Sequence, residues 1–160
     1  MVESVAAERR LVLVIGHSGT PSSTKVMVEA VARMHARQPS VTQKTFDAIR
    51  AVVQNARLAV EAGDLAALGK LLDLNQMLLA GLLVSTQEIE AMCEMARGEG
   101  ALGAKLTGAG GGGCVVALAE TRADADRILA GWARIGRAGF VTEVAAARTP
   151  RAGVAEMVHP

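Results

Sequence analysis

The sequence predicts an α+β fold of the split βαβ, ferredoxin-like kind: a four-stranded antiparallel sheet with helices packed on it, plus inserted helices. Three observations carry that expectation. Apolar runs of strand length recur at Leu11–Ile15, Ala101–Thr107, Cys114–Ala119 and Phe140–Val144. A long stretch with helical periodicity separates the first run from the second. The resulting order is strand, four helices, strand, strand, helix, strand. With the four helices taken as one crossover plus insertion, this is a split βαβ. No internal repeat is present.

Leu11-Val12-Leu13-Val14-Ile15 is continuous and apolar and ends at Gly16, as a buried strand does. Thr20-Pro21 reads as a helix start, a capping hydroxyl followed by proline at the first helical position. Val26, Ala30, Val31 and Met34 follow at helical spacing, and the helix should stop near Gln38-Pro39. From Ser40 a second helix carries Phe46, Ile49, Val52, Ala56 and Val60 to Gly63. Asp64 caps a third, through Leu68, Leu71, Leu72, Asn75, Leu78, Leu79 and Leu82. Ser85-Thr86-Gln87-Glu88 reads as a capping box with Ser85 as the cap, opening a helix with Ile89, Met92 and Cys93. After Gly98–Gly100 the period changes to that of a strand pair around a glycine-rich loop. Thr121-Arg122-Ala123-Asp124 opens the last helix, with Ile128, Leu129, Trp132 and Ile135. Arg148–Pro160 has two prolines and little periodicity and is expected to be a flexible tail.

Composition narrows the function. A chain of 160 residues fits one domain, and 17 basic against 16 acidic side chains leave a net charge of +1. Without a block of like charge there is no nucleic-acid footprint. Tyrosine is absent and Phe46, Trp132 and Phe140 are the only aromatics, which removes the stacking platforms of single-strand binders. Cys93 and Cys114 form neither a metal spacing nor a disulfide framework and read as buried thiols in a reducing compartment. The N-terminus lacks the features of a signal peptide, and the apolar runs are too short to span a bilayer. A cytoplasmic domain with no membrane or nucleic-acid partner is expected.

Five of the six residues Gly108–Gly113 are glycine. On folding, glycine loses more conformational freedom than any other residue, roughly 0.5–1 kcal/mol relative to alanine in a regular element. Such a run needs a compensating reason: positive φ, or a backbone that must approach another group. Successive N–H groups in a turn form a concave nest for an anion. Two readings therefore stand together, a loop at a phosphate site and a hairpin that only permits close packing. The match to Gly-x-Gly-x-x-Gly at Gly108, Gly110 and Gly113 is nearly automatic in such a run. A dinucleotide fingerprint must open a helix, whereas Val115–Leu118 is strand-like. Cys114-Val115 stands where a P-loop requires Lys-Ser/Thr.

The neighbours of the loop are more specific. Gly103-Ala104-Lys105-Leu106-Thr107-Gly108-Ala109-Gly110-Gly111-Gly112-Gly113-Cys114 closely resembles the third signature of the GHMP kinase superfamily, in the form typical of mevalonate kinases. Asn75-Gln76-Met77-Leu78-Leu79 with Val84-Ser85-Thr86 is similar to that family's Asn-Gln-x-Leu-Leu…Val-Ser junction. Ser22-Ser23-Thr24-Lys25-Val26-Met27-Val28 resembles its Ser-Thr-Lys segment after a central strand. The resemblance runs from Leu11 to Val144. It implies the C-terminal domain of such a kinase over residues 1–147, with 148–160 as the tail.

What the resemblance implies for function is transfer of the γ-phosphoryl group of ATP to the 5-hydroxyl of mevalonate with Mg²⁺, a step of isoprenoid biosynthesis. It places Gly108, Ala109, Gly110, Gly111, Gly112 and Gly113 against the nucleotide phosphates, and Ser22, Ser23 and Thr24 toward the substrate; Lys105, just before the loop, is a further candidate nucleotide contact on its position alone. The family's main ATP loop, Pro-x-x-x-Gly-Leu-Gly-Ser-Ser-Ala-Ala, is absent; Ser18–Lys25 shares its composition but not its order. The family's catalytic Asp, N-terminal Lys and Mg²⁺-holding Ser and Glu belong to the half that precedes residue 1. The resemblance thus implies a C-terminal fragment with no catalytic or metal-binding residue of its own. Alone, it is expected to bind ATP weakly or not at all and to self-associate into a homo-oligomer through an uncovered apolar face. Two alternatives accompany this reading: another GHMP small-molecule kinase of the phosphomevalonate kinase type, and a stand-alone, non-catalytic domain that binds a metabolite or partner.

Taken simply as residues, Lys105 suits a phosphate contact or a surface position on a strand. Thr107 suits a hydrogen bond to the loop backbone. Ser22, Ser23 and Thr24 either satisfy the first helical turn or meet an anion at its positive end. Lys25 faces cleft or solvent, and His17 is a lone loop histidine. Asn75 and Gln76, polar residues on an apolar helix, point to buried hydrogen bonding.

Overall fold

The computed structural model describes residues 4–147. Strands β1 (Leu11–His17), β2 (Gly103–Thr107), β3 (Cys114–Ala119) and β4 (Gly139–Val144) form one sheet in the order β2-β3-β1-β4. Every neighbouring pair is antiparallel, so β1 and β2 run in the same direction with β3 between them. This is the split βαβ arrangement. Five helices complete the described residues: α1 (Thr24–Arg37), α2 (Pro39–Ala62), α3 (Leu65–Gly81), α4 (Gln87–Gly98) and α5 (Arg122–Arg134). The expected tail at 148–160 lies outside the described residues.

Helix boundaries follow local chemistry with two corrections. Asp64 caps α3 by accepting the Ala67 N–H at 2.9 Å, and Thr121 with Asp124 forms a full capping box on α5. α2 ends at Gly63 in the left-handed conformation, φ 68°. The first correction is the start of α1. Its cap is Ser23, not Thr20, because the Thr20 carbonyl is occupied by the Gly113 N–H at 2.9 Å and residues 20–23 form a bend and a non-helical approach to the helix. The second is the start of α4. Thr86 is the cap, since the Ser85 hydroxyl already accepts from Gln76 Nε2 at 2.9 Å.

Alternate strand residues point to opposite faces. One face carries Val12, Val14, Leu106, Val115, Ala117 and Ala119, buried against Ile89, Met92, Ala96, Ile128 and Trp132 of α4 and α5. The buried Trp132 indole satisfies its N–H on the Met92 carbonyl at 2.8 Å. The other face packs Leu11, Leu13 and Leu118 against Ala59, Leu68, Leu71 and Leu72 of α2 and α3. Helix α3 also reaches around the sheet edge. Asp73 Oδ1 accepts the Ala104 N–H at 3.0 Å, and Gln76 Oε1 accepts the Leu106 N–H at 2.8 Å. These are the outward donors of β2, so side chains complete an edge strand that has no further strand partner. The approach requires glycine where the two elements meet, because a Cβ on Gly103 would overlap the Gly69 carbonyl.

Candidate functional site

The hairpin between β2 and β3 folds back onto the start of α1. All five of its glycines have positive φ, from 70° at Gly111 to 131° at Gly112. Close packing accounts for part of that demand. An added Cβ at Gly110 would collide with the Val84 carbonyl, and one at Gly112 would lie 2.5 Å from the Thr20 carbonyl oxygen. Around Gly108 there is open space. The Gly111 N–H donates to Val84 O at 2.7 Å, the Gly113 N–H to Thr20 O at 2.9 Å, and Gly113 O accepts the Ser18 N–H at 2.8 Å. The loop is thus clamped between the α3–α4 junction and the β1–α1 turn.

Clamping leaves some donors free. Among the described residues, the N–H groups of Ala109, Gly110 and Gly112 have no acceptor. The two readings of the glycine run therefore combine: the segment packs closely, and the N–H groups its hydrogen bonds leave over are available to an anion. The first turn of α1 lies beside them, with Met27 against Gly111.

The structure brings Ser22, Ser23 and Thr24 to this same corner but gives two of the three hydroxyls internal work. Ser22 donates to the Gly110 carbonyl, and Ser23 accepts the Val26 N–H as the α1 cap. Thr24 is exposed and its hydroxyl has no partner among the described residues. Lys25 is exposed in the same turn. Thr107 is exposed without the hydrogen bond to the loop backbone that the sequence suggested. His17 Nδ1 accepts the Gly19 N–H at 2.9 Å.

Lys105 stands apart. Its ammonium donates to the Leu106 carbonyl at 2.6 Å and lines a cleft with Val52, Leu72 and Asn75, under α2 and α3. Burial holds its pKa below the ordinary lysine value.

Sequence reasoning missed Arg137. Its guanidinium fills the space where a Cβ on Gly19 would stand, in the turn that clamps the loop, and it forms no ion pair among the described residues. Glu88 is held below the usual carboxylate range by backbone hydrogen bonding and the Thr86 hydroxyl, with a smaller contribution from the Arg137 charge. An arginine between two glycines after α5 carries no motif that would have marked it. Among the described residues, no group of three or more His, Cys, Asp or Glu side chains is arranged to hold a metal ion.

Comparison with known proteins shows the family of the domain. The family model described as "GHMP kinases C terminal" matches residues 56–138, more than half of the chain. Mevalonate kinase of Pyrococcus horikoshii is 38% identical over 117 residues, covering 70% of this chain and 35% of that protein. The Thermococcus gammatolerans mevalonate kinase is 40% identical over 118 residues, with the same two shares, 70% and 35%. The chain spans about a third of the length of these curated relatives. L. major mevalonate kinase in complex with R-mevalonate superimposes with a TM-score of 0.86 at 35% identity, over 92% of this chain and 46% of that one. Streptococcus pneumoniae phosphomevalonate kinase in complex with phosphomevalonate and AMPPNP gives 0.79 at 19% identity, over 90% and 43%, which shows a shared fold. With the strand order, the glycine corner and the family model in agreement, the chain belongs to the GHMP kinase C-terminal family.

Proposed function

We propose that this chain is the C-terminal domain of a mevalonate kinase, an enzyme that moves the γ-phosphoryl group of ATP to the 5-hydroxyl of mevalonate. The observation that carries the reading is the likeness to the mevalonate-bound L. major enzyme, 35% identity and a TM-score of 0.86, in a chain with the glycine corner intact. On this reading the free N–H groups of Ala109, Gly110 and Gly112 meet nucleotide phosphate oxygens. Gly111 and Gly113 hold the loop in shape through their hydrogen bonds to Val84 and Thr20, and Gly108 supplies the positive φ at which β2 turns into the loop. Arg137 supplies positive charge at its rim, and preorganised donors and cations of this kind are what phosphoryl transfer draws on.

Ser22 and Ser23 position the loop and helix, which leaves Thr24 as the hydroxyl of that segment able to meet substrate. We place Lys105 outside the nucleotide contact. On this reading the Mg²⁺ ligands and the catalytic base belong to the rest of the enzyme. No helix among the described residues is long and apolar enough to cross a membrane. A cytoplasmic location and a role in isoprenoid synthesis belong to the same proposal. So does self-association of the isolated chain, for which the exposed Phe140 and Val144 of β4 are candidate contacts and light scattering the test.

The deciding experiment expresses the whole reading frame that contains this chain and measures ADP release with mevalonate, phosphomevalonate and galactose. Mevalonate is expected to be the preferred acceptor. Preference for phosphomevalonate would transfer the reading to that kinase. Absence of transfer to any of them would favour a non-catalytic binding domain. In the active protein, Gly112→Ala is expected to raise KM for ATP more than KM for mevalonate.

A further inference from the structure

We propose that the cleft between α2, α3 and β2 binds a small carboxylate with a short aliphatic body. The cleft measures about 220 Å³ and is separate from the glycine corner in its lining. Val52, Ala56, Leu71 and Leu72 form apolar walls, and the polar groups among its lining side chains are those of Asn75 and Lys105.

Both are donors short of acceptors. Asn75 is 8% exposed, and its Nδ2 has no hydrogen-bond partner among the described residues. A buried amide N–H without an acceptor is costly, and native proteins rarely retain one without a reason. Lys105 carries three N–H donors, of which the Leu106 carbonyl takes one.

The nearby acids are committed elsewhere. Asp73 holds Arg97 and the Ala104 N–H, both at 3.0 Å, and Glu90 accepts from Gln76 at 2.8 Å. The Cys93 thiol is buried and protonated, so it supplies no counter-charge. A half-buried ammonium and an orphan amide in the lining of one apolar cleft call for an anionic acceptor. The two oxygens of a carboxylate match the two donor groups.

Size and wall chemistry define the rest of the ligand. Clefts for drug-sized ligands run from roughly 300 to 1,000 Å³, so this one is limited to a handful of heavy atoms. Its walls carry no aromatic ring on which a nucleobase would stack. A branched short-chain carboxylate fits both conditions. The proposal concerns residues outside the phosphate corner and does not depend on the kinase assignment.

The test titrates isovalerate into the ¹⁵N-labelled 160-residue chain and follows the Asn75 side-chain amide by NMR. Isovalerate is expected to shift that signal with saturation, whereas the matched alcohol and amine, isoamyl alcohol and isoamylamine, do not. Lys105→Gln, read at the Asn75 side-chain amide, and Asn75→Asp, read at the Lys105 backbone amide, are each expected to weaken binding at least tenfold, about 1.4 kcal/mol. No shift at tens of millimolar isovalerate would overturn the proposal, and so would equal binding of the alcohol. Unchanged affinity in both variants would also overturn it. Should one variant fail to fold, the other and the Asn75 signal of the native chain still decide.

Discussion

Gln76 Oε1 accepts the backbone N–H of Leu106 at 2.8 Å, and the same amide donates through Nε2 to Ser85 and Glu90. One side chain thus closes the outer edge of β2 and fixes the α3–α4 junction, where Val84 braces the glycine loop. Leu106 is 1% exposed, so water cannot replace the lost acceptor. Gln76→Leu strands that N–H, and a buried donor left unsatisfied costs about 1–3 kcal/mol. Urea unfolding is expected to show a loss in that range. A neutral result would mean that the edge of β2 finds another acceptor.

The glycine corner separates two costs that are usually mixed. Gly108→Ala meets only the strain of φ 93°, because nothing lies within 4 Å of its added Cβ. Gly110→Ala meets similar strain at φ 83° and also the Val84 carbonyl. Backbone strain of this kind costs about 1–3 kcal/mol, and overpacking adds a further 1–3 kcal/mol or so. Thermal unfolding should therefore rank Gly110→Ala clearly below Gly108→Ala. Equal losses would show that contact with Val84 does not shape the loop.

Leu83 offers the opposite change. It has φ 60° and is 75% exposed, so a β-carbon sits in the left-handed region without burying its side chain. The left-handed conformation costs a non-glycine residue roughly 1–2 kcal/mol. Leu83→Gly is expected to stabilise the fold by about 1 kcal/mol, which for a domain of 150–250 residues raises Tm by roughly 2–4 °C. A fall in Tm would mean that the Leu83 side chain packs more than its exposure indicates.

The strands and their order were legible because the apolar pattern changes from helical to strand spacing after Gly100. The glycine loop and its flanking signature were legible for the same reason that they are restrictive, since few residues satisfy those φ values. Local rules failed where a tertiary contact claimed the capping group. Thr20-Pro21 satisfies every local condition for a helix start, yet the loop takes the Thr20 carbonyl. Ser85 fits a capping box, yet Gln76 takes its hydroxyl. Arg137 was invisible because only the folded chain sets it against Gly19. Gln76 was legible as a buried hydrogen-bonding residue, but its partner at a sheet edge was not.

The two thiols are expected to differ sharply. Cys93 is 0% exposed, and burial pushes its thiol up to about 12, with only smaller contributions from neighbouring charges. Cys114 is half-buried at the start of β3. Because the thiolate is the reactive form, a disulfide reagent should label Cys114 alone in the native chain and both thiols in urea. The same shift sets a pH dependence. Above the ordinary value of 9.0 the unfolded chain releases a proton that native Cys93 retains. The stability tied to that proton is complete below pH 9.0 and is lost as the pH rises toward about 12. Cys93→Ala removes the group from both states, so its urea midpoint should fall less steeply above pH 9.0 than that of the unaltered chain. Parallel curves for the two proteins would mean that the Cys93 thiol ionises as readily folded as unfolded.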